Sequence, residues 1–188
     1  SGSQVDIETT ATKTDRGYLI NGEKWFSSNA RYAAFMLVLA VTDPEAPIQN
    51  RMSMFIVPRE TPGLKIIRNA PHMTERAELD EGTEGYLHYD QVRVPLDHML
   101  GGEGMGFAVA QARLGGGRVH HAMRTVGQCQ HALDMMCERA LSRRTQGGLL
   151  ADKQTVQTMI ADCHIELEQF RLLVLKTAWI IDHSHGDP

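Results

Sequence analysis

The sequence predicts an α+β protein in which an antiparallel β sandwich or barrel is followed by a long antiparallel helical hairpin. Three observations favour this fold class. Before about residue 100, short alternating or β-branched runs are separated by turn residues, which is typical of strands. After it, apolar residues recur at three- and four-residue steps, as on one face of a helix. With 188 residues, 42% hydrophobic and 22% charged, the chain can bury a core.

Six runs in the first half are predicted to be strands. They are residues 7–12, 18–25, 35–42, 52–57, 64–68 and 86–94. Asp15-Arg16-Gly17 supplies the turn after the first run, and the segment 43–47, which contains two prolines, supplies a longer loop. Thr61-Pro62-Gly63 predicts a type II turn, because proline presets φ and glycine accepts a positive φ at the next position.

Two amphipathic helices are predicted in the second half. The stripe of the first is Val119, Met123, Val126, Leu133, Met136 and Ala140. The second extends from residue 152 to 182 with Asp152 as its N-cap, and at about 1.5 Å per residue it is roughly 45 Å long. Its stripe is Val156, Met159, Ile160, Cys163, Leu167, Phe170, Val174, Ala178 and Ile181. A turn at Gly147-Gly148 joins the helices, so we predict a β domain over 1–100 and a helical domain over 101–188.

Charge and hydropathy exclude several classes of protein. A net charge of -4 without a run of Lys and Arg argues against nucleic-acid binding. The longest apolar stretch, 35–41, is far shorter than the roughly 20 residues that span a bilayer, and no charged-then-apolar leader opens the chain. The three cysteines are an odd number without CxxC spacing, which favours buried thiols in a reducing compartment. We therefore expect a protein that is neither secreted nor membrane-spanning.

A series of motifs then points to one family. The motifs are GYLINGEKWFSSN from residue 17, FIVP from 55, TPGLK from 61, VRVP from 92, GMGF from 104 and ALSRRTQGGLL from 140. In order and spacing the chain resembles the acyl-CoA dehydrogenases, flavoenzymes with an amino-terminal helical domain, a middle β domain and a carboxyl-terminal four-helix bundle. The resemblance implies that 1–100 is a middle domain, partial at its amino terminus, and that 101–188 is a truncated helical domain whose hairpin is part of the bundle.

A narrower resemblance comes from WFSS at residue 25 and GRVHHAMRTVG at residue 117. These segments resemble the subgroup whose larger animal members carry a fused kinase-like domain. The family implies FAD as cofactor, an acyl-CoA substrate, electron-transfer flavoprotein as acceptor, and a homodimer or homotetramer. It also implies a cytoplasmic location in a bacterium and a mitochondrial or peroxisomal one in a eukaryote.

The family resemblance assigns a flavin contact to Trp25, Phe26, Ser27 and Ser28. By position, Phe26 would place its ring against the isoalloxazine and Ser28 its hydroxyl near N5, where negative charge develops on reduction. The alternative is that Trp25 and Phe26 are ordinary strand packing.

A second set implied by the family is Arg143, Thr145 and Gln154, which would reach the FAD pyrophosphate and adenosine of a neighbouring subunit. A guanidinium suits bidentate phosphate recognition. The alternative is that Arg143 and Arg144 only complement the negative end of the first helix. Gln146 departs from the aromatic residue that is common in the family at this position.

The family resemblance implies that Leu114, Gly117 and Arg118 line the substrate channel, with Arg118 helping to organise the thioester end of the site. The glycine run 115–117 is unfavourable in a helix by about 1 kcal/mol per residue, which suggests that a bulky group passes close to the backbone. The alternative is a flexible helix start or a kink. Some family members place the catalytic glutamate at the position of Gly117, which has no carboxylate. We therefore expect the base outside this chain, as in a fragment, and assign no catalytic residue.

Other site types are not favoured. The histidines lack ligand spacing, so no metal is predicted, and GEGMG at 102 lacks the βαβ context of a dinucleotide loop. The predicted function is FAD-dependent α,β-dehydrogenation of an acyl-CoA thioester. The alternatives are a non-catalytic oligomerisation module of the same fold and an acyl-CoA oxidase-like flavoenzyme.

Overall fold

The computed structural model describes residues 7–73, 76 and 82–184. Its main sheet has seven strands in the order β5-β6-β2-β1-β3-β4-β7. Their bounds are β1 Thr10–Thr14, β2 Gly17–Ser28, β3 Phe35–Val41, β4 Met52–Pro58, β5 Leu64–Asn69, β6 Glu84–Val94 and β7 Met99–Leu100. Two long helices follow, and the α+β class is confirmed.

The sheet is mixed, because β1 and β3 pair in parallel through Thr10 and Val41 whereas every other pair is antiparallel. The chain reverses direction between β1 and β2 and again between β2 and β3, so β1 and β3 run the same way. The fully antiparallel prediction was wrong at this one pair.

The core of the β unit comes from alternate positions along these strands. Ile20, Val38, Phe55, Val57 and Val92 are essentially inaccessible to solvent. The type II turn at 61–64 is confirmed: Gly63 has φ +92°, and the Leu64 N–H donates to the Thr61 carbonyl at 3.1 Å.

The helical unit contains α1, Gly106–Ser142, and α2, Gln154–His183. Both predicted apolar stripes are confirmed at their centres, because Val126 and Leu133 of α1 form a buried cluster with Leu167 and Val174 of α2. Arg171 adds a polar contact by donating to Gln130 Oε1 at 2.7 Å. Three members of the predicted stripes, Met159, Cys163 and Ile181, are exposed instead.

A small hairpin joins the helices. Its strands are β8, Arg144–Thr145, and β9, Gly148–Leu149, so the two-residue tip is Gln146-Gly147 rather than Gly147-Gly148. Both tip residues have positive φ, +46° and +81°, as a type I′ turn requires.

The predicted N-cap Asp152 was wrong. Asp152 closes a short 3-10 turn, Leu150–Asp152, and its Oδ2 accepts the Leu149 N–H at 2.7 Å. The carboxylate is therefore engaged with the hairpin, and α2 begins two residues later after Lys153, which makes no side-chain cap.

The chain divides into two compact units, 1–112 and 113–188. The division falls inside α1, whereas the sequence boundary at residue 100 stays a prediction. The expectation of buried thiols was wrong, since Cys129 and Cys163 are exposed and Cys137 is half-buried. Cys137 packs against the buried cluster of the helix pair, and Cys129 and Cys163 line a groove between the two helices. In the described part of the chain, neither long helix is apolar enough to cross a membrane.

Candidate functional site

Strand β2 carries a bulge at Trp25-Phe26. Lys24 pairs with Leu87 of β6, and the next pair is Ser27 with Gly85, so β2 has one residue more than β6 over this stretch. Phe26 adopts φ +54°. A left-handed conformation costs a residue with a Cβ about 1–2 kcal/mol, and strained residues of this kind concentrate at functional sites.

The strain does not bury the Phe26 ring, which stays 51% exposed. Trp25 lies beside it at 5.9 Å between ring centroids and packs on Tyr86 of β6 at 4.7 Å. The Arg68 guanidinium of β5 covers the Trp25 ring at 5.1 Å. The bulge therefore presents both rings to solvent, and the Trp25 ring is held by Tyr86 of β6 and Arg68 of β5.

Hydroxyl groups follow the bulge directly. The Ser28 hydroxyl donates to Glu84 Oε2 at 3.0 Å, and the Asn29 N–H donates to the Thr83 carbonyl at 2.8 Å. Asn29 also has a positive φ, +57°. The end of β2 is consequently held by backbone and side-chain contacts to the segment that leads into β6.

A carboxylate lies next to the aromatic cluster. Tyr86 donates its hydroxyl to Glu23 Oε2 at 2.7 Å, and His88 Nδ1 lies 3.4 Å from Glu23 Oε1. The Tyr86 hydrogen bond is the main cause of a lowered Glu23 pKa, and the same contact raises the pKa of Tyr86. Glu23 thus stays ionised and orients Tyr86 beneath Trp25.

Sequence reasoning missed Lys24. Its Nζ donates to the Leu39 carbonyl of β3 at 2.7 Å, and desolvation lowers its pKa to about 8. The signal was present in the strand period, because Tyr18, Ile20 and Lys24 occupy alternate positions of β2 and two of these three face the core.

The second predicted set lies around the hairpin between the helices. Arg143 and Arg144 are exposed, Thr145 is half-buried in β8, and Gln154 is the exposed first residue of α2. Over residues 82–184, neither arginine has a carboxylate within ion-pair distance. The donors at this end suit a phosphate or another anion.

The third predicted set lies within α1. The glycine run 115–117 is inside a continuous helix, so the alternative of a flexible helix start was wrong. A Cβ added at Gly115 or Gly116 would meet nothing within 4 Å, so this backbone is open. Arg118 lines a groove of about 250 Å³ between the helices with Phe170, Leu173 and Val174. Leu114 is exposed one residue before the glycine run.

The three sets are therefore placed on two units. Trp25, Phe26, Ser27 and Ser28 form one surface of unit 1–112, whereas the hairpin and groove residues belong to unit 113–188. The half-exposed Phe26 ring beside a hydroxyl fits an isoalloxazine ring, and the hairpin donors fit a pyrophosphate. Within the described ranges, no three His, Cys, Asp or Glu side chains come together as metal ligands.

Comparison with known proteins agrees with both units. The family model for the acyl-CoA dehydrogenase middle domain matches residues 1–85, and that for the acyl-CoA dehydrogenase C-terminal domain matches residues 104–188. "Probable acyl-CoA dehydrogenase FadE2" of Mycobacterium tuberculosis is 41% identical over all of this chain, which spans 46% of that protein. "Acyl-CoA dehydrogenase family member 11" of Gallus gallus is 39% identical over 97% of the chain, which spans 24% of it.

A solved structure of PigA with FAD and proline superposes with a TM-score of 0.80 and 25% identity, over 95% of this chain and 45% of PigA. The chain thus spans about half or less of each of these proteins. A second solved structure of PigA is also a complex with FAD. Matches to two successive domains of one family, in the order of the chain and together with the fold, lead to one conclusion: the chain belongs to the acyl-CoA dehydrogenase family.

Proposed function

We propose that this chain contributes the flavin-facing β surface and a subunit-contacting helical hairpin to an enzyme that dehydrogenates an acyl-CoA thioester between its α and β carbons. The observation that carries the proposal is Phe26, a half-exposed aromatic residue held at φ +54° between Trp25 and Ser27. The left-handed backbone of Phe26 costs free energy, and its exposed ring regains little of that through packing within the chain. A flat ligand that covers the ring would account for this arrangement.

FAD, when bound, accepts the hydride that leaves the β carbon of the substrate while a base takes the α proton. Phe26 would cover one face of the ring and exclude water from it. Ser28 would turn its hydroxyl from Glu84 toward the cofactor and donate to the atom where negative charge develops. Trp25 and Ser27, as the neighbouring residues of the bulge, would fix the positions of the Phe26 and Ser28 side chains.

The hairpin would serve the cofactor of a second subunit. The Arg143 guanidinium would bind the pyrophosphate in bidentate fashion, with Thr145 and Gln154 donating to the phosphate and adenosine groups nearby. The exposure of Arg143 and Gln154, and the absence of a carboxylate within ion-pair distance of Arg143 over residues 82–184, support this role. A homodimer or homotetramer follows from the same proposal.

The substrate would lie along α1. The open backbone at Gly115 and Gly116 leaves room for the acyl chain or pantetheine, Leu114 and Gly117 would line this passage, and Arg118 would organise the thioester end. No described residue is assigned as the base. Electron-transfer flavoprotein is the proposed electron acceptor, and the proposed location is cytoplasmic in a bacterium or mitochondrial or peroxisomal in a eukaryote.

The visible spectrum of the full-length protein tests this function. We expect the absorption of bound oxidised flavin, bleached when an acyl-CoA is added without oxygen. A folded, colourless protein that takes up no FAD would contradict the proposal and favour the non-catalytic oligomerisation module. Bleaching followed by rapid reoxidation in air with peroxide release would instead indicate an acyl-CoA oxidase-like enzyme.

A matched pair of variants connects the spectrum to the site. Phe26→Ala removes the exposed ring of the bulge, and Phe35→Ala removes an equally exposed ring, 51% in each case, from an ordinary strand position. We expect the affinity for FAD to fall at least tenfold in the first variant and to stay unchanged in the second. Equal affinities would remove Phe26 from the flavin site.

A further inference from the structure

The half of β2 that carries the bulge lacks a strand on one of its sides. Strand β1 pairs with β2 only as far as Asn21, and it touches β3 only through Thr10 and Val41. Beyond Asn21, β2 is therefore paired with β6 on one side alone. A gap opens there between β2 and β3, and side chains rather than a backbone ladder must close it.

Two contacts close this gap. Thr9, which is buried, donates its hydroxyl to the Glu23 carbonyl at 2.9 Å while its own carbonyl accepts the Val41 N–H at 2.8 Å. One position further along β2, the Lys24 Nζ crosses to the Leu39 carbonyl at 2.7 Å. Lys24 thus satisfies a carbonyl in the middle of β3 that lies beyond the end of β1.

The bond from Lys24 Nζ to the Leu39 carbonyl lies directly beside the bulge. Lys24 is the last β2 residue in register with β6 before the bulge, and Phe26 follows two residues later at φ +54°. A residue keeps such a strained backbone conformation only where the contacts of the surrounding structure offset the strain. β6 supports the bulge from one side, and Lys24 supplies the support on the other.

We propose that Lys24 is the positioning residue that holds the Trp25-Phe26 bulge in the geometry that receives the flavin, through its bond to the Leu39 carbonyl. The inference rests on the proposed function, because it takes the ring of Phe26 as the surface that FAD covers. Lys24 touches neither cofactor nor substrate in this role. It acts through the backbone conformation of the two residues after it.

The chemistry of the position agrees with this role. An ammonium group held away from solvent costs free energy, so a lysine whose only contribution is to fill space is unfavourable at a core-facing position of β2. What lysine adds is reach together with a hydrogen-bond donor. Arginine keeps both properties, whereas methionine keeps the length and lacks the donor.

The test compares three variants of the protein in two states. Lys24→Met removes the donor, Lys24→Arg keeps it, and Lys13→Met is the control. Lys13 is also a lysine of unit 1–112 with a 2.7 Å contact, to Glu103 on the surface. In the FAD-free state, the contribution of Trp25 to the fluorescence is obtained by subtracting the emission of the same protein carrying Trp25→Phe, and we expect the maximum of this contribution to shift in Lys24→Met only.

In the FAD-bound state, we expect Lys24→Met to weaken FAD binding at least tenfold and to change the shape of the flavin absorption band. Lys24→Arg should restore most of both, and Lys13→Met should match the parent. Parent-like Trp25 emission together with parent-like flavin binding in Lys24→Met would overturn the proposal. If Lys24→Met does not fold, Lys24→Gln, which is too short to reach Leu39, replaces it with the same expected and contrary results.

The outcomes separate this inference from the proposed function. A parent protein that binds no FAD contradicts the proposed function, and the inference falls with it. A parent that binds FAD beside a Lys24→Met variant that binds it equally well contradicts the inference alone. A general loss of stability in Lys24→Met, with the flavin band of the bound fraction unchanged, assigns Lys24 to folding and also overturns the positioning role.

Discussion

The β unit and the helical unit place their functional residues by different means. In the β unit, Ile20, Phe55, Val57 and Val92 are completely buried, and the strained bulge lies at the edge of this core. In the helical unit, the buried apolar cluster has four residues, and large apolar side chains of α2 are exposed. Those exposed residues include Leu172, Leu173, Leu175, Trp179, Ile180 and Ile181.

This difference in packing indicates how exactly each unit can fix the position of a functional side chain. A close-packed sheet can hold Phe26 against about 1–2 kcal/mol of backbone strain, because many contacts would have to move together. The hairpin at 144–149 has no such core around it, and its arginines extend from an exposed turn. It is suited to long, flexible donors that adjust to a phosphate, whereas the bulge is suited to a ring that must lie flat.

Truncation of one core residue in each unit is the largest expected effect and tests the contrast in packing. We expect Phe55→Ala to lower the free energy of unfolding by about 3–5 kcal/mol, because its site is fully enclosed. Leu133→Ala should cost less than about 3 kcal/mol, because Leu133 borders an open groove of about 470 Å³. Urea denaturation measures both values. An equal or larger cost at Leu133 would show that the helical core is as well packed as the sheet.

The pH dependence of stability tests whether the ammonium group of Lys24 is truly desolvated. The pKa of Lys24 is about 8 in the folded protein and about 10.5 when unfolded. Between these values the unfolded state keeps a proton that the folded state has released, so the free energy of unfolding rises with pH.

Relative to Lys24→Met, the parent should gain about 1.5 kcal/mol between pH 8 and pH 9.5. The window ends below pH 10 because Tyr18 and Tyr86 have raised pKa values in the fold and lower its stability above that pH. Denaturation at a series of pH values gives the slope for each protein. Parallel curves for parent and variant would mean that water reaches the Lys24 amine.

Removal of single guanidinium groups tests the exposed hairpin. Arg143→Ala should weaken FAD binding about tenfold, as expected for one charged hydrogen-bonding partner of a phosphate, and change the free energy of unfolding by less than about 0.5 kcal/mol. Arg144→Ala is the matched control, one residue away and equally near the end of α1. If both arginines only complement the negative end of that helix, the two variants will behave alike in FAD titration and in unfolding.

Glycine substitutions in β2 and β3 are the smallest expected effect and test the strain itself. At Phe26, glycine relieves the left-handed conformation but adds disorder to the unfolded chain, so the free energy of unfolding should stay within about 1 kcal/mol of the parent. At Phe35, where no strain is relieved, the same change should lower it by at least about 1 kcal/mol. Thermal denaturation of the two variants decides this. A larger loss at Phe26 would mean that the ring is packed and the backbone unstrained.

The sequence by itself determined the elements of this protein and the family to which it belongs. Alternation along β6, the type II turn at Gly63 and the apolar stripes through Val126 and Leu167 are periodic or local signals, and each of them corresponds to an element of the structure. The family motifs could also be recognised from the sequence, because each of them is a contiguous segment of the chain.

Tertiary structure alone decided the local backbone conformations and side-chain hydrogen bonds within those elements. The bulge at Phe26 arises from the register between Lys24 and Leu87, two residues that lie 63 positions apart in the sequence. The Lys24 bridge exists because β1 ends before β2 does, and the Asp152 carboxylate turns to Leu149 because the hairpin brings that N–H within reach. A local pattern states which face a residue prefers, but only the register of distant strands determines which donor meets which acceptor, and that register is a property of the whole packed sheet.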